Sequence, residues 1–244
     1  MKISISIAKE WNDLSDKQFL KMMRLFSTKV QKIQLLVRTF KILVDCRWWQ
    51  FRKRARMYFI IKNVPLSELK THFEHLFDNN TRTEFISEIK VGSKTYYAPM
   101  HRIINLTADE FACADDLHIL YHKTKDVEAL QYLFHTLYSE TTERQIFDKL
   151  ELPKKINKKI PMAVLLATEF TYSGCKNYLA KRYKKAFPSG GKASGKSSGF
   201  GKVIPAMAKG DLSKLKIIER VNIYKFLDQF QDDIETYEKQ KTQR

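Results

Sequence analysis

The sequence predicts a mainly α-helical protein: a multi-helix globular body with a short N-terminal strand or arm, a small β-hairpin and a C-terminal helix. Apolar residues recur at three- and four-residue spacing through most of the chain, which is the helical period. Two capping boxes mark helix starts. Hydrophobic residues make up 43% of the 244, with only six prolines and eight glycines, a composition typical of packed helical domains rather than disordered chains.

Five of the eight glycines lie within residues 187–202, and this cluster divides the chain. We predict a helical body at 1–187 with an arm at 1–10, a flexible Gly/Ser/Lys linker at 188–202, and a C-terminal helical segment at 203–244. Stretches rich in Gly and Ser behave as flexible tethers. The C-terminal segment is therefore expected to move relative to the body.

The N-terminal part begins with a candidate arm, in which Ile3, Ile5 and Ile7 alternate with polar residues at the period of a strand. Ser15 and Gln18 then form a capping box that starts a helix. Further predicted elements are a helix at about 30–45, a strand or buried run at 58–61, a helix at 67–77 capped by Ser67, and a hairpin at 85–97 that turns at Gly92-Ser93.

Helices are predicted for most of the remaining chain. Thr107 and Glu110 form a second capping box, and the helix they start ends near His122. Another helix follows at 126–138, and so short a break favours an antiparallel pair. The later predicted helices lie at about 142–150, 162–170, 177–187, 203–209, 212–219 and 222–239, with a basic loop at 152–161.

The chain is strongly basic, with 44 Lys and Arg against 27 Asp and Glu, a formal net charge of +17 and a pI near 9.7. Residues 151–202 hold twelve Lys and Arg against two Glu, which places +10 of the +17 in this stretch. An excess of this size predicts acidic partners such as nucleic acid, an anionic surface or an acidic protein.

Cysteine usage and hydropathy predict a soluble protein of the cytoplasm. Cys46, Cys113 and Cys175 are odd in number and widely spaced, which favours free thiols over a disulfide framework. The N-terminus lacks the apolar core of a signal peptide. No apolar run approaches the ~20 residues that a membrane-spanning helix needs.

A basic segment at 47–56 is the best local candidate for nucleic-acid contact, because arginine forks bind phosphate and aromatic faces stack on bases. We favour the alternative that its aromatic residues are buried and its basic face is solvated. A second basic group lies within the predicted helix at 177–187. The candidate binding residues are Arg47, Trp48, Trp49, Arg52, Lys53, Arg54, Arg56, Lys181, Arg182, Lys184 and Lys185.

Residues 190–197 match the phosphate-binding pattern G-x-x-x-x-G-K-[ST]. A functional loop of this kind follows a buried strand and opens a helix, yet the residues before it are basic and Gly199 and Gly201 oppose a helix after it. We interpret the stretch as a linker and leave an NTPase as a remote alternative. Its nucleotide-binding residues would be Gly190, Gly195, Lys196 and Ser197.

Other chemical patterns are weak. His118 and His122 are four residues apart, with Asp115 one turn earlier, a spacing that places three ligands on one helix face. No motif for a further ligand accompanies them, and we interpret them as surface or half-buried histidines. Because no nucleophile motif or paired carboxylates stand out either, we predict a protein without enzymatic activity, cofactor or metal.

Several short motifs carry a family resemblance. They are Tyr97-Ala98-Pro99, Asn105-Leu106-Thr107 with Glu110-Phe111, Tyr121 to Asp126, Leu130-x-x-Leu133 and Leu137-Tyr138. Together they resemble a family of small helical proteins encoded among the morphogenesis genes of tailed bacteriophages and prophages. Residues 203–211 and the amphipathic helix after them are similar to the C-terminal part of that family.

The resemblance implies a non-enzymatic role in virion assembly, as a tail-assembly chaperone or a minor structural component. Its partners would be other phage proteins, met in the host cytoplasm or in the virion. We expect the C-terminal helix to supply the contact, beyond the flexible linker. The predicted partner-binding residues on its apolar face are Ile223, Phe226, Leu227, Phe230 and Ile234.

Overall fold

The computed structural model describes residues 7–143, 159–187 and 200–242, which contain eleven α-helices and one β-hairpin. The predicted mainly α-helical class is confirmed. The helices are α1 (Asp16–Phe26), α2 (Lys32–Val44), α3 (Phe51–Asn63), α4 (Leu66–Thr71), α5 (His75–Asp78), α6 (Ala108–Thr124), α7 (Val127–Leu137), α8 (Met162–Arg182), α9 (Val203–Ala208), α10 (Leu212–Arg220) and α11 (Ile223–Thr242).

The two capping boxes and the Gly92-Ser93 turn correctly predicted two helix starts and the hairpin. The Ser15 hydroxyl accepts a hydrogen bond from the backbone N–H of Gln18 at the start of α1. At the start of α6, the Thr107 hydroxyl accepts one from the backbone N–H of Glu110. The strands β1 (Glu88–Val91) and β2 (Lys94–Tyr97) pair antiparallel. Gly92 in the turn has a φ of 64°, which glycine adopts without a steric penalty.

Helix α8 crosses the core and packs against both α1 and α7. On the α1 side, the ring centroids of Trp11 and Phe170 are 4.5 Å apart, and Phe19 lies 5.9 Å from Phe170. Helices α6 and α7 form the expected packed pair, and the Tyr172 hydroxyl of α8 donates to the Phe111 carbonyl of α6 at 3.3 Å. These aromatic contacts fix α8 between the other layers.

The sequence predicted two helices, at 162–170 and 177–187, where the structure has the single helix α8. Gly174 lies inside this helix without interrupting it, and its missing side chain makes room for the Arg82 backbone carbonyl. The Arg82 side chain is itself buried and donates to the carbonyls of Trp11 (2.8 Å) and Leu14 (3.2 Å). Gly174 is thus a packing site rather than a break.

Two other predictions were wrong. Residues 58–61 belong to helix α3 and not to a strand, and the less exposed positions of α3, which are 53, 57, 60 and 61, recur at three- and four-residue spacing. The helix predicted at 67–77 is divided into α4 and α5, and Pro65, rather than Ser67, precedes its first turn. Pro65 is the N-cap residue with φ −56° and ψ 138°, and its missing N–H costs nothing there because the first N–H groups of a helix have no intrahelical partner.

The C-terminal segment packs into the core instead of standing apart from it. Phe200 is buried against the rings of Phe111 (5.2 Å) and Phe226 (5.7 Å), so residues 200–202 are not part of a free linker. The backbone N–H of Ile223 donates to the Leu106 carbonyl at 3.0 Å. Removing residues 203–244 would therefore open the core rather than leave a folded body.

Several predicted features lie outside the described residues: the arm up to residue 6, most of the helix at 142–150 and of the basic loop at 152–161, and the linker at 188–199. Within the described ranges, no helix combines the length and the apolar character that crossing a membrane requires.

Candidate nucleic-acid interface

Helix α3 and the turn before it present large aromatic side chains to solvent. Trp48, Trp49 and Phe51 are 73%, 51% and 67% exposed, and Tyr58 and Phe59 are also exposed. Met57 is the one residue of α3 that is buried. The expectation that these aromatic residues are buried is therefore wrong, because α3 meets the core along a narrow strip only.

Positive charges surround these rings. We call the exposed set the aromatic–basic surface; it consists of Arg47, Trp48, Trp49, Phe51, Arg52, Arg54, Arg56, Tyr58 and Phe59. Lys53, a further predicted residue, is half-buried in the same helix. No Asp or Glu occurs between Cys46 and Ser67, so no carboxylate within this stretch offsets the charge.

Cations lie against the rings at short range. The Arg47 guanidinium carbon is 5.3 Å from the Trp49 ring centroid, and that of Arg54 is 5.9 Å from the Tyr58 centroid. The Trp48 and Trp49 rings meet edge to face at 5.7 Å. Such cation–π contacts orient the guanidinium groups next to flat aromatic faces.

A groove between α1 and α2 continues the positive surface. It is lined by Lys21, Arg24, Arg38 and Lys41. Lys21 pairs with Asp45 at 3.2 Å, and the Lys41 ammonium lies 5.3 Å from the Tyr58 ring centroid. Sequence reasoning missed these four residues. The signal that could have found them is the i, i+3 spacing of each pair on the polar face of its helix.

The second predicted basic group behaves differently. The Lys185 ammonium lies 2.9 Å from Glu238 and 3.6 Å from Glu235 of α11, and Arg182 lies over the rings of Tyr183 (5.3 Å) and Tyr224 (5.4 Å). Lys181 and Lys184 are exposed beside a small cleft. Among the described residues, no hydrogen bond, ion pair or ring contact joins this group to the aromatic–basic surface.

The predicted partner-binding face of α11 is mostly covered by the protein itself. Ile223, Phe226 and Leu227 are buried in the core, and Phe230 is half-buried against Phe200 at 6.2 Å. Only Ile234, also half-buried, lies beyond this contact. An amphipathic helix whose apolar face is already packed cannot offer that face to a partner.

The predicted histidine pair acquires an acidic neighbour from another helix. Oε1 of Glu169 on α8 lies 2.8 Å from Nε2 of His122 and 3.3 Å from Nε2 of His118. Burial acts to raise the pKa of Glu169, but the two imidazoles lower it more, so it lies below its ordinary value. Sequence reasoning missed Glu169, which is 47 residues from His122.

Asp115 is not part of this group, contrary to the spacing argument. Its carboxylate accepts a hydrogen bond from the Phe200 backbone N–H at 3.1 Å and pairs with the Lys176 ammonium. It therefore holds the start of the C-terminal segment against α6. The nucleotide-binding candidates Gly190, Gly195, Lys196 and Ser197 lie outside the described residues.

The three cysteines are free thiols in the structure. Burial raises the pKa of Cys113 and of Cys175. Because the thiolate is the reactive form of cysteine, this burial disfavours nucleophilic chemistry at both positions.

No protein-family model, curated protein or solved structure matches this chain to a significant degree. Function has to be inferred from the site itself.

Proposed function

We propose that the protein binds single-stranded nucleic acid through the aromatic–basic surface. The observation that carries this proposal is the exposure of Trp48, Trp49 and Phe51 beside arginines in a stretch without carboxylates. Burying a large aromatic side chain is worth about 1.5–3 kcal/mol. A fold that leaves several of them in water has surface ready to be covered by a partner.

The chemistry of the surface favours unpaired bases over a duplex. Exposed rings stack on the faces of bases, which are accessible in a single strand and hidden in a helix. The guanidinium groups next to those rings are placed to bind the phosphates between successive bases. The groove lined by Lys21, Arg24, Arg38 and Lys41 continues from Tyr58 and extends the path for the backbone.

The test is a binding titration with a labelled oligothymidylate of about 20 nucleotides, longer than the ~4–16 nucleotides that a typical single-strand site covers. Trp48→Ala/Trp49→Ala should weaken binding at least about tenfold, since each stacked base is worth about 1–3 kcal/mol. Arg52→Ala/Arg54→Ala/Arg56→Ala should weaken it and also reduce its dependence on salt, by about 0.7 in log–log slope per lost phosphate contact.

Matched controls separate the surface from general charge and hydrophobicity. Lys214→Ala/Lys216→Ala/Lys225→Ala removes three exposed positive charges from α10 and α11, and Tyr237→Ala removes an exposed ring from α11. Both should bind like the wild type. Equal weakening in the controls, or binding only to anionic lipid vesicles or to double-stranded DNA, would overturn the proposal.

The role in phage assembly stays a prediction, supported by the motif resemblance and by exposed apolar residues in the C-terminal segment. Leu212 and Ile217 of α10 are exposed, and they would have to replace the buried face of α11 as the contact. Nucleotide hydrolysis also stays a prediction, and nothing in the described residues adds support for it.

A further inference from the structure

The group formed by His118, His122 and Glu169 has the composition of a metal site. The two histidines lie one turn apart on α6, and their ring centroids are 4.4 Å apart. Glu169 reaches them from α8. One nitrogen or oxygen atom from each of the three residues lies within 4.8 Å of the other two.

We propose that His118, His122 and Glu169 bind a divalent transition-metal ion, with Zn²⁺ as the ion that fits them best. Zinc binds imidazole nitrogen and carboxylate oxygen at about 2.0–2.2 Å, so neighbouring ligands of a tetrahedral ion lie about 3.3 Å apart. The distances of Glu169 Oε1 to the two Nε2 atoms, 2.8 and 3.3 Å, need little change to meet this value.

The type of ligand excludes the common alkaline-earth ions. Magnesium and calcium prefer sites built from oxygen atoms, whereas imidazole is a ligand of zinc and its neighbours in the first transition row. Two histidines and one carboxylate also form a frequent zinc set in which the fourth position is left to water. No other element needs to supply a ligand for such a site.

Burial within the group is uneven, and this leaves one side of the site open. The side chains of His118 and Glu169 are 12% and 14% exposed, whereas that of His122 is 48% exposed. An ion could enter past His122 and keep a water molecule on that side. His118 and Glu169, the two less exposed ligands, would hold the ion against the core.

Nε2 of His118 supports a ligand at this place. It is buried and makes no aligned hydrogen bond among the described residues, although Glu169 lies nearby. Buried polar atoms are almost always satisfied by protein, water or an ion. A bound cation would use this lone pair and, at the same time, balance the charge of Glu169.

The test uses the full chain without an affinity tag, freed of metal by chelation and titrated with Zn²⁺ by calorimetry. One equivalent should bind. His122→Ala and Glu169→Gln should each weaken binding at least about tenfold, because even residues that only support a metal ligand change affinity about 10–100-fold. Binding of Co²⁺ should give the visible absorption bands of a tetrahedral site, which the same variants should lose.

His101→Ala is the matched control, since His101 also lies beside a glutamate, 3.6 Å from Glu84, but belongs to no group of three ligands among the described residues. It should bind Zn²⁺ like the wild type. Circular dichroism establishes whether each variant is folded. The proposal fails if the folded wild type binds no stoichiometric Zn²⁺, or if His122→Ala and Glu169→Gln bind it as tightly as the wild type does.

Discussion

Gly174 shows how one missing side chain positions a helix. A Cβ at this position would overlap the Arg82 carbonyl oxygen and lie 3.0 Å from Oδ1 of Asn80. Neither neighbour can move freely, since Asn80 donates to the Phe170 carbonyl at 2.6 Å and Arg82 is buried. The close approach of α8 to the loop before β1 therefore depends on glycine.

We predict that Gly174→Ala lowers the free energy of unfolding by about 1–3 kcal/mol, the usual cost of overpacking. The sign is informative, because replacing glycine by alanine within a helix otherwise stabilises it by about 1 kcal/mol. Chemical denaturation measures the change. Ala55→Gly, at an exposed position of α3, gives the helix preference alone; an alanine variant at 174 that is as stable as the wild type would contradict the packing argument.

His135 gives a prediction about pH. Burial lowers its pKa, with a further lowering from Lys94 and an opposing effect of Glu140. The unfolded chain, with a histidine pKa of about 6.5, then binds a proton more readily than the folded one. Stability should fall as the pH drops below about 6.5 and through the folded-state pKa.

The variant His135→Gln cannot gain this proton, so its melting temperature should fall less between pH 7 and pH 5 than that of the wild type. All other ionisable groups are common to both proteins, so their contributions cancel in the comparison. If the melting temperatures of both proteins fall by the same amount between pH 7 and pH 5, folding does not lower the pKa of His135.

For single residues, the sequence predicts contacts between residues that are close in the chain. It misses contacts between residues that only the fold brings together. Ser15 with Gln18 and Thr107 with Glu110 act over three residues, and both boxes form as expected. Glu169 meets the histidine pair only because α8 packs beside α6. No spacing in the sequence encodes that contact.

Among the elements, α10 and α11 show that one apolar pattern permits opposite outcomes. Leu227 of α11 is 0% exposed, whereas Leu212 of α10 is 76% exposed. Helical periodicity predicts which residues share a face. It does not predict whether that face is covered by the same chain or by a partner. For this reason the sequence-based prediction of a partner for the apolar face of α11 was wrong.

We predict that Leu227→Ala lowers the free energy of unfolding by about 2–5 kcal/mol, as buried leucines do. Leu212→Ala removes the same atoms from an exposed position and should change it by less than about 0.5 kcal/mol. Denaturation of both variants checks the difference. Equal effects would mean that α11 does not pack in the core as described.

The prediction of a strand or buried run at 58–61, within helix α3, failed for a related reason. Residues 58–61 are aromatic and β-branched, which favours a strand or buried run in the sequence. These residues instead continue the helix that begins at Phe51, in which Met57 is buried and Ile60 and Ile61 are partly buried against the core. Sequence patterns assume that aromatic residues are buried in the core, and the exposed rings of α3 depart from that assumption.

Over the whole molecule, the positive charge is distributed unevenly on the surface. Lys185 is neutralised by Glu235 and Glu238, while the aromatic–basic surface and the α1–α2 groove combine charge with exposed rings. Net charge alone predicted an acidic partner of any kind. The exposure of the rings beside the cations, which the fold adds to the sequence pattern, supports the proposal of a partner with flat bases and phosphates.

The most direct measurement is the intrinsic fluorescence of the three tryptophans during a titration with unlabelled oligothymidylate. Trp11 is buried, so any quenching by stacked bases reports on Trp48 and Trp49. At about 50 mM salt the emission should fall to a saturating level, and at about 200 mM the curve should move to much higher oligonucleotide concentration. Unchanged emission at the lower salt concentration would contradict binding through this surface.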